Sequence, residues 1–173
     1  MLVRALRPYI LASCGNLIEG KFDQYHRETP YSGLIEAFRN LLRQIFRKTQ
    51  SEIEAWAGKI DAALGENASI VIDVVPDLEN LIGAKPKAPE LTGAAAQQRF
   101  NIVFSNLLKV FASKENPLVM FLDDLHWADA ASLALINTFV LAGKGAHLLM
   151  IGAYRDNEVS ADHPMMVMLE NLR

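Results

Sequence analysis

The sequence predicts an α/β protein in which a parallel sheet lies between two layers of helices. Two segments of strand length, 118–122 and 147–153, are almost entirely apolar, which is typical of strands that are buried on both faces. Segments with the helical spacing of apolar residues separate the predicted strands, and this alternation indicates parallel pairing. A further strand is predicted over 17–23. We therefore expect a three-layer parallel sheet of about three core strands, with helices on both faces.

Four longer segments are predicted to be helices, and the first three of them carry apolar residues on one face of a helical repeat. Ser32 is positioned to cap the first of them, and Ser51 with Glu54 forms the capping-box pattern that opens the second. Gly65 ends the second helix, and Asp129 caps the fourth. The four segments are 34–46, 51–64, 94–113 and 129–141, and shorter helices are expected over 2–12 and from 162 onward.

Residues 69–82 fit two structures. Their β-branched side chains, such as Val71 and Ile72, suit a strand. Val71, Val74 and Leu78 nevertheless keep the spacing of a helix. Pro76 fits neither the middle of a strand nor the middle of a helix, so we expect a broken helix here.

The composition excludes several classes of protein. The 173 residues include 17 basic and 20 acidic side chains and carry a net charge of −3, so there is no basic excess of the kind that binds nucleic acid. Cys14 is the single cysteine, which excludes an internal disulfide and a cysteine-based zinc cluster. No apolar run approaches the roughly 18 residues of a membrane span, and the first residues show no signal-peptide pattern. We expect a cytoplasmic protein that binds no nucleic acid and has no membrane span.

The segment Leu118–Asp124 carries the clearest chemical pattern. An apolar strand that ends in two acidic residues is the Walker B pattern of P-loop NTPases. The strand would end at the carboxyl edge of the sheet, where nucleotides bind in α/β proteins, and a carboxylate there can hold Mg²⁺. Asp123 is predicted to hold the metal, and Asp124 to orient or deprotonate the attacking water. The alternative interpretation is a strand that ends in a polar turn.

Three parts of the sequence resemble one family of ATPases. The acidic pair continues as DDLHWAD, residues 123–129, and in this context resembles the signal-transduction ATPases with numerous domains, a branch of the AAA-like P-loop ATPases. Residues 20–24 (GKFDQ) with 30–32 (PYS), and residues 151–159 (IGAYRDNEV), are similar to the ATPase module of bacterial Ser/Thr-kinase–histidine-kinase hybrid sensors. The resemblance implies a partial P-loop NTPase fold and an ATP-binding switch in a multidomain signalling protein, whose kinase and sensor domains would be its partners.

The resemblance also implies roles for residues outside the acidic pair. Arg155 would be a catalytic sensor that reaches the γ-phosphate, and the alternative is a solvent-facing Arg paired with Asp156 or Glu158. His126 and Trp127 would link the nucleotide state to neighbouring domains. The alternative for these two is a Trp packed on the next helix beside a half-exposed His.

The sequence departs from this family at the phosphate-binding loop. That loop requires Gly-x-x-x-x-Gly-Lys followed by Ser or Thr, between a strand and a helix. Gly15, Gly20 and Lys21 have this spacing, but Phe22 follows them, and the resemblance puts Gly20 and Lys21 on a strand. We interpret residues 1–173 as a partial AAA-like ATPase domain that starts after the loop and ends before the last strand and the helical lid. ATP and Mg²⁺ would bind at the acidic pair in the full-length parent, and we expect neither bound to this chain.

Absence of the strand that carries the phosphate loop would expose one edge of the sheet. In related ATPases that strand lies beside the one predicted here over 147–153. This segment is apolar and carries no Lys, Pro or inward charge, so its edge can pair with another chain. We expect a homodimer or a larger assembly. The alternative is a monomer whose N-terminal segment folds back over the edge.

Two other functions fit the same residues. One is a non-catalytic protein-interaction domain that retained the ATPase fold and lost the phosphate loop. The other is an unrelated α/β enzyme that uses Asp123, Asp124 and Arg155 on a different substrate, which requires a pocket at the strand ends independent of ATP. Nucleotide binding by the full-length parent would separate a regulatory ATPase switch from the first of these.

Overall fold

The computed structural model describes residues 2–25, 29–142 and 147–172, and every structural statement below refers to these ranges. The strands are β1 (Asn16–Lys21), β2 (Leu118–Asp123) and β3 (Leu148–Gly152). The helices are α1 (Leu2–Ala12), α2 (Ser32–Ile45), α3 (Gln50–Leu64), α4 (Ala68–Ile72), α5 (Glu79–Ile82), α6 (Gly93–Phe111), α7 (Ala130–Ala142) and α8 (Pro164–Asn171). Short 3₁₀ turns cover Gly65–Asn67, Pro76–Leu78, Leu125–Trp127 and Asp156–Glu158. None of the described helices combines the length and apolar character that a membrane crossing requires.

The three strands form one parallel sheet in the order β1-β2-β3. Met120 in the central strand lies opposite Ile18 and Met150. Lys21 lies opposite Asp123 in the same register, so Gly20 and Lys21 are on a strand rather than in a phosphate-binding loop. The predicted α/β class and the parallel pairing are both confirmed.

One face of the sheet carries the hydrophobic core. Ile18 and Met120 are fully buried there, against apolar side chains of α2, α6 and α7. Phe38 of α2 is central, since its ring meets Phe104 of α6 and Phe139 of α7 edge-on, at centroid distances of 5.9 and 6.3 Å. Each such ring stabilises the fold by about 1.5–3 kcal/mol through burial. This packing fixes the position of β2, and so of the residues at its carboxyl end, relative to the helices.

The opposite face of the sheet is covered less completely. Val3 of α1 is buried and lines a cleft together with Glu19 and Phe121, which places α1 over β1 and β2. Leu149 of β3 remains 51% exposed on this face. Helices therefore flank the sheet as predicted, but the second layer does not fully cover β3.

Side chains of α2 close the outer edge of β1. The pairs are Gln44 Nε2 with the Leu17 carbonyl at 2.9 Å, Asn40 Nδ2 with the Glu19 carbonyl at 2.8 Å, and Glu36 Oε2 with the Lys21 N–H at 2.9 Å. Residues four apart on a helix rise by about 6 Å. Alternate residues of a strand rise by about 6.6 Å, so the two repeats match and each of these three side chains meets an outward backbone group of β1.

The structure corrects two predicted helix starts and confirms the predicted break. Glu52 accepts the Thr49 N–H at 3.0 Å, so the capping box of α3 begins two residues before Ser51. Ser32 is the first residue of α2, whose cap position is Tyr31. Periodicity identified both helices, but a nearby Thr or Ser offered a choice of caps that only backbone geometry resolves. Residues 69–82 form the short helices α4 and α5, separated by a turn that begins at Pro76, because proline cannot donate the backbone hydrogen bond of a helix interior.

Candidate functional site

The carboxyl end of β2 carries the two acidic residues. Asp123 is the last residue of the strand, and Asp124 takes the left-handed conformation with φ 49°. Asp tolerates this conformation better than most residues do. The Asp124 N–H donates to Asp123 Oδ1 at 3.0 Å, which stabilises the abrupt turn out of the sheet. The turn presents both carboxylates at the same edge.

Asp124 lies between a cation from each neighbouring strand. Lys21 Nζ, at the end of β1, is 3.2 Å from Asp124 Oδ2. Arg155 Nε, just beyond β3, is 3.6 Å from Asp124 Oδ1. Arg155 therefore lies beside the acidic pair, whereas the chemical roles of these residues stay predictions. Lys21 was missed, because the predicted strand ran to residue 23 and only the observed register places Lys21 opposite Asp123.

Arg155 is held by more than one carboxylate. Its Nη1 donates to Glu158 Oε1 at 2.8 Å, and the side chain is 60% exposed. Glu158, through a hydrogen bond and its charge, raises the pKa of the Arg155 guanidinium above its ordinary value, and Asp124 adds to this effect. Arg155 therefore faces solvent and pairs with Glu158, as the alternative interpretation expected, whereas its role as a sensor of the γ-phosphate stays a prediction.

His126 is buried, so the alternative interpretation of a half-exposed ring is wrong. Only 2% of His126 is exposed, and Nε2 lies 3.1 Å from Glu158 Oε2. Nδ1 is buried without a protein hydrogen-bond partner among the described residues. The ring lies 5.0 Å from that of Trp127, which packs partly buried against the core. The 3₁₀ turn after Asp124 turns the His126 ring inward, a direction that the sequence pattern does not reveal.

Asp129 has a second task besides capping α7. Its Oδ1 accepts the Ser132 N–H at 2.9 Å, as predicted for a cap. Its Oδ2 accepts the backbone N–H of Tyr31 at 3.2 Å. Tyr31 is in the left-handed conformation and stacks on Phe100 at 4.8 Å. The segment before α2 is thereby attached to the start of α7, so parts of the chain that are distant in sequence surround the same strand end.

The donor set at the strand ends fits magnesium better than zinc. A cleft of about 380 Å³ beside the acidic pair is lined by Asp123, Lys21, Glu19 and Glu36, among others. The described residues contain no group of three or more His, Cys, Asp or Glu that could enclose a metal. Mg²⁺ needs no such group, since it keeps several waters and binds one or two carboxylates together with phosphate oxygens. Asp123 and Asp124 supply that number of carboxylates.

Comparisons with known proteins agree with the fold. The family model described as "AAA ATPase domain" matches residues 1–151. The hybrid signal transduction histidine kinase G of Dictyostelium discoideum is 39% identical over 117 residues, which are 68% of this chain and 3% of that protein. The chain thus aligns with a very small part of that relative. No solved structure gives a significant match. The family match covers β1, β2 and β3 as far as Ile151, and the chain belongs to the AAA ATPase domain family.

Proposed function

We propose that this chain is part of a regulatory ATPase module in a multidomain, cytoplasmic signal-transduction protein. The observation that carries the proposal is the set of charges at the strand ends: Asp123 and Asp124 leave the buried central strand, and Arg155 reaches Asp124 from the next strand at 3.6 Å. Membership of the AAA ATPase domain family supports nucleotide as the ligand. The similarity to a hybrid histidine kinase supports kinase and sensor domains as the partners in the parent protein.

In the proposed mechanism, the residues at the strand ends act on a bound nucleotide. Asp123 would hold Mg²⁺, and this ion would neutralise charge on the β- and γ-phosphates. Asp124 would orient the attacking water or accept its proton. Arg155 would contact the terminal phosphate, and the carboxylates around it keep its guanidinium charged. Lys21 adds a second cation beside Asp124, which favours an anionic ligand at this edge.

A phosphate-binding loop is the further component that this mechanism requires. The 173 residues contain no Gly-x-x-x-x-Gly-Lys followed by Ser or Thr. That loop supplies the backbone donors and the Lys that bind the phosphates, and we propose that another segment of the natural protein supplies it on a strand beside β3. For this chain by itself we expect no micromolar binding of Mg-ATP.

Calorimetry on two lengths of the protein tests the proposal. Mg-ATP should show no micromolar isotherm with this chain, and a clear one with a longer piece that includes a phosphate-binding loop. In the longer piece, Asp123→Ala should weaken Mg²⁺-dependent binding, whereas Asp124→Asn should retain binding and slow hydrolysis by 10²-fold or more, roughly the share of a general base. Glu19→Gln, in the same cleft, is the matched control. A longer piece that binds no nucleotide would contradict the proposal.

A non-catalytic interaction domain is the second candidate, and one observation favours it. Asp124 is paired on both sides, by Lys21 and by Arg155, so its carboxylate is engaged rather than available as a base. In an interaction domain, the ion pairs of Asp124 with Lys21 and Arg155 would serve only to hold the ends of the three strands together. In that case Asp124→Asn would alter stability and partner binding in the longer piece, and hydrolysis would be absent from the start.

A further inference from the structure

The carboxylate of Glu158 holds two residues of the candidate site at once. Oε1 accepts from Arg155 Nη1 at 2.8 Å, and Oε2 lies 3.1 Å from His126 Nε2. Glu158 ends the 3₁₀ turn that begins directly after Arg155. His126 belongs to the turn that follows the acidic pair. Glu158 therefore joins the segment after β3 to the segment after β2.

The two contacts of Glu158 differ in burial. The His126 side chain is 2% exposed, Glu158 is 28% exposed and Arg155 is 60% exposed. An exposed ion pair holds an Arg weakly, because two flexible side chains must be ordered and water screens their charges. Here the buried ring already orders Glu158. Less conformational freedom is then lost when the guanidinium binds, so the pair is stronger than its exposure suggests.

The proton on His126 can be assigned from this arrangement. An ionised carboxylate only accepts hydrogen bonds, so the proton must lie on Nε2 for His126 to bond Glu158. The Nε2–H is then the donor of the hydrogen bond that Glu158 accepts. A side chain at 126 without a donor would therefore release Glu158, while one with an N–H donor would keep it.

Asp124 contacts the same guanidinium less closely. Arg155 Nε is 3.6 Å from Asp124, against 2.8 Å from Arg155 Nη1 to Glu158. Lys21 also engages Asp124. We propose that Glu158 is the positioning residue that holds Arg155 beside the acidic pair, and that His126 fixes Glu158 for this task. The inference rests on the proposed function, in which Arg155 faces a phosphate.

Nuclear magnetic resonance of the ¹⁵N-labelled chain without nucleotide tests this arrangement. The Arg155 Nε–Hε signal is identified by its loss in Arg155→Lys. In Glu158→Gln one of the two carboxylate oxygens becomes an NH2 donor and the negative charge is lost, so the side chain no longer offers a separate acceptor to each partner. The signal should shift, and its ¹H–¹⁵N NOE should fall to about half or less as the side chain becomes mobile. Asp156→Asn, with the same loss of charge in the same turn, should leave the signal unchanged.

Two variants of His126 separate positioning from a general loss of structure. His126→Gln keeps an N–H donor and should preserve the Arg155 signal, whereas His126→Leu removes the donor and should reproduce Glu158→Gln. A long-range ¹⁵N spectrum of the unchanged chain should show the proton on His126 Nε2. An unchanged Arg155 signal in folded Glu158→Gln, or a His126 Nε2 that carries no proton, would overturn the proposal.

The experiment is independent of nucleotide binding. If a longer piece of the protein fails to bind Mg-ATP, the proposed function is wrong, while the resonance result still shows whether Glu158 holds Arg155. If the longer piece binds Mg-ATP and the Arg155 signal is unchanged in Glu158→Gln, only the positioning role of Glu158 is wrong.

Discussion

The two edges of the sheet differ in how their backbone groups are satisfied. At β1, Glu36, Asn40 and Gln44 of α2 bond one outward N–H group and two outward carbonyls of the strand. At β3, alternation in a parallel pair turns the backbone groups of Leu148, Met150 and Gly152 away from β2, and no further strand of the described residues pairs with them. A protein can thus close one edge with helix side chains and leave the other able to pair.

The largest expected effect is on the contact that brings α2 against β1. A Cβ atom at Gly20 would overlap the Gly33 carbonyl, which belongs to the backbone of α2. Gly20→Ala should lower the free energy of unfolding by about 3 kcal/mol, because a rigid helix must move away from the strand. Urea denaturation measures this change.

Gly58→Ala is the matched control for this substitution. Gly58 lies in α3 with nothing within 4 Å of an added Cβ, so the change should raise stability by about 0.5–1 kcal/mol through helix propensity. Equal effects of the two substitutions would show that the close contact of α2 with β1 does not close this edge.

The next effect concerns the open edge, through which we propose that the chain self-associates. Light scattering at low micromolar concentration should show a dimer or larger assembly rather than the 19.2 kDa chain. Leu149→Lys should weaken this association about tenfold or more, which corresponds to about 1.4 kcal/mol, because a charge on an edge strand opposes pairing. Leu11→Lys changes an equally apolar residue, 66% exposed on α1, and should have no effect. A monomer in the unchanged chain would contradict the prediction.

A smaller effect is expected when the closed edge loses one side chain. Asn40→Ala removes the donor to the Glu19 carbonyl and should cost about 1 kcal/mol of unfolding free energy. Arg43→Ala, an exposed position on the same helix, should change stability by less than about 0.5 kcal/mol. If the side chains of α2 also block pairing, Asn40→Ala should increase the mass seen by light scattering. An unchanged mass would show that Asn40 is not needed to prevent the edge of β1 from pairing with another chain.

The smallest effect is expected at Asp124, which contacts Lys21 at the end of β1 and Arg155 just beyond β3. Lys21 is 58% exposed, so Lys21→Met should lower stability by less than about 0.5 kcal/mol. The difference from the unchanged chain should vanish in roughly 1 M salt, since the Debye length is then about 3 Å. Lys87→Met, in an exposed loop, is the control. A loss above about 1 kcal/mol would mean that Asp124 joins β1 to β3 more strongly than a surface pair can.

Local patterns were sufficient to predict the elements and the position of the acidic pair. The apolar run of β2 predicted a buried strand, and the two Asp residues that follow it had to lie at the carboxyl edge of a parallel sheet. The break near Pro76 followed from the missing backbone donor of proline. Helix starts were less certain, because both Thr49 and Ser51 can act as caps and the choice depends on backbone angles.

Partners across the site could not be predicted from spacing. The sequence left three possible partners for Arg155: the γ-phosphate, Asp156 or Glu158. The structure pairs Arg155 with Glu158 and places it beside Asp124. One of the two sequence interpretations of His126 was a half-exposed ring, but the 3₁₀ turn buries the ring and directs Nε2 to Glu158. Side-chain direction in a turn depends on backbone angles that a single sequence does not specify.

The sequence by itself determined the α/β class, the parallel strands and the acidic end of β2, because hydrophobic period and turn residues act over short stretches of chain. Only the tertiary structure decided that α2 closes the edge of β1, and that Lys21 and Arg155 meet at Asp124. Those contacts join residues far apart in sequence, and their geometry depends on how the helices pack against the sheet. The physical reason is that local propensity selects the elements, whereas close packing of the core sets the distances between their polar side chains.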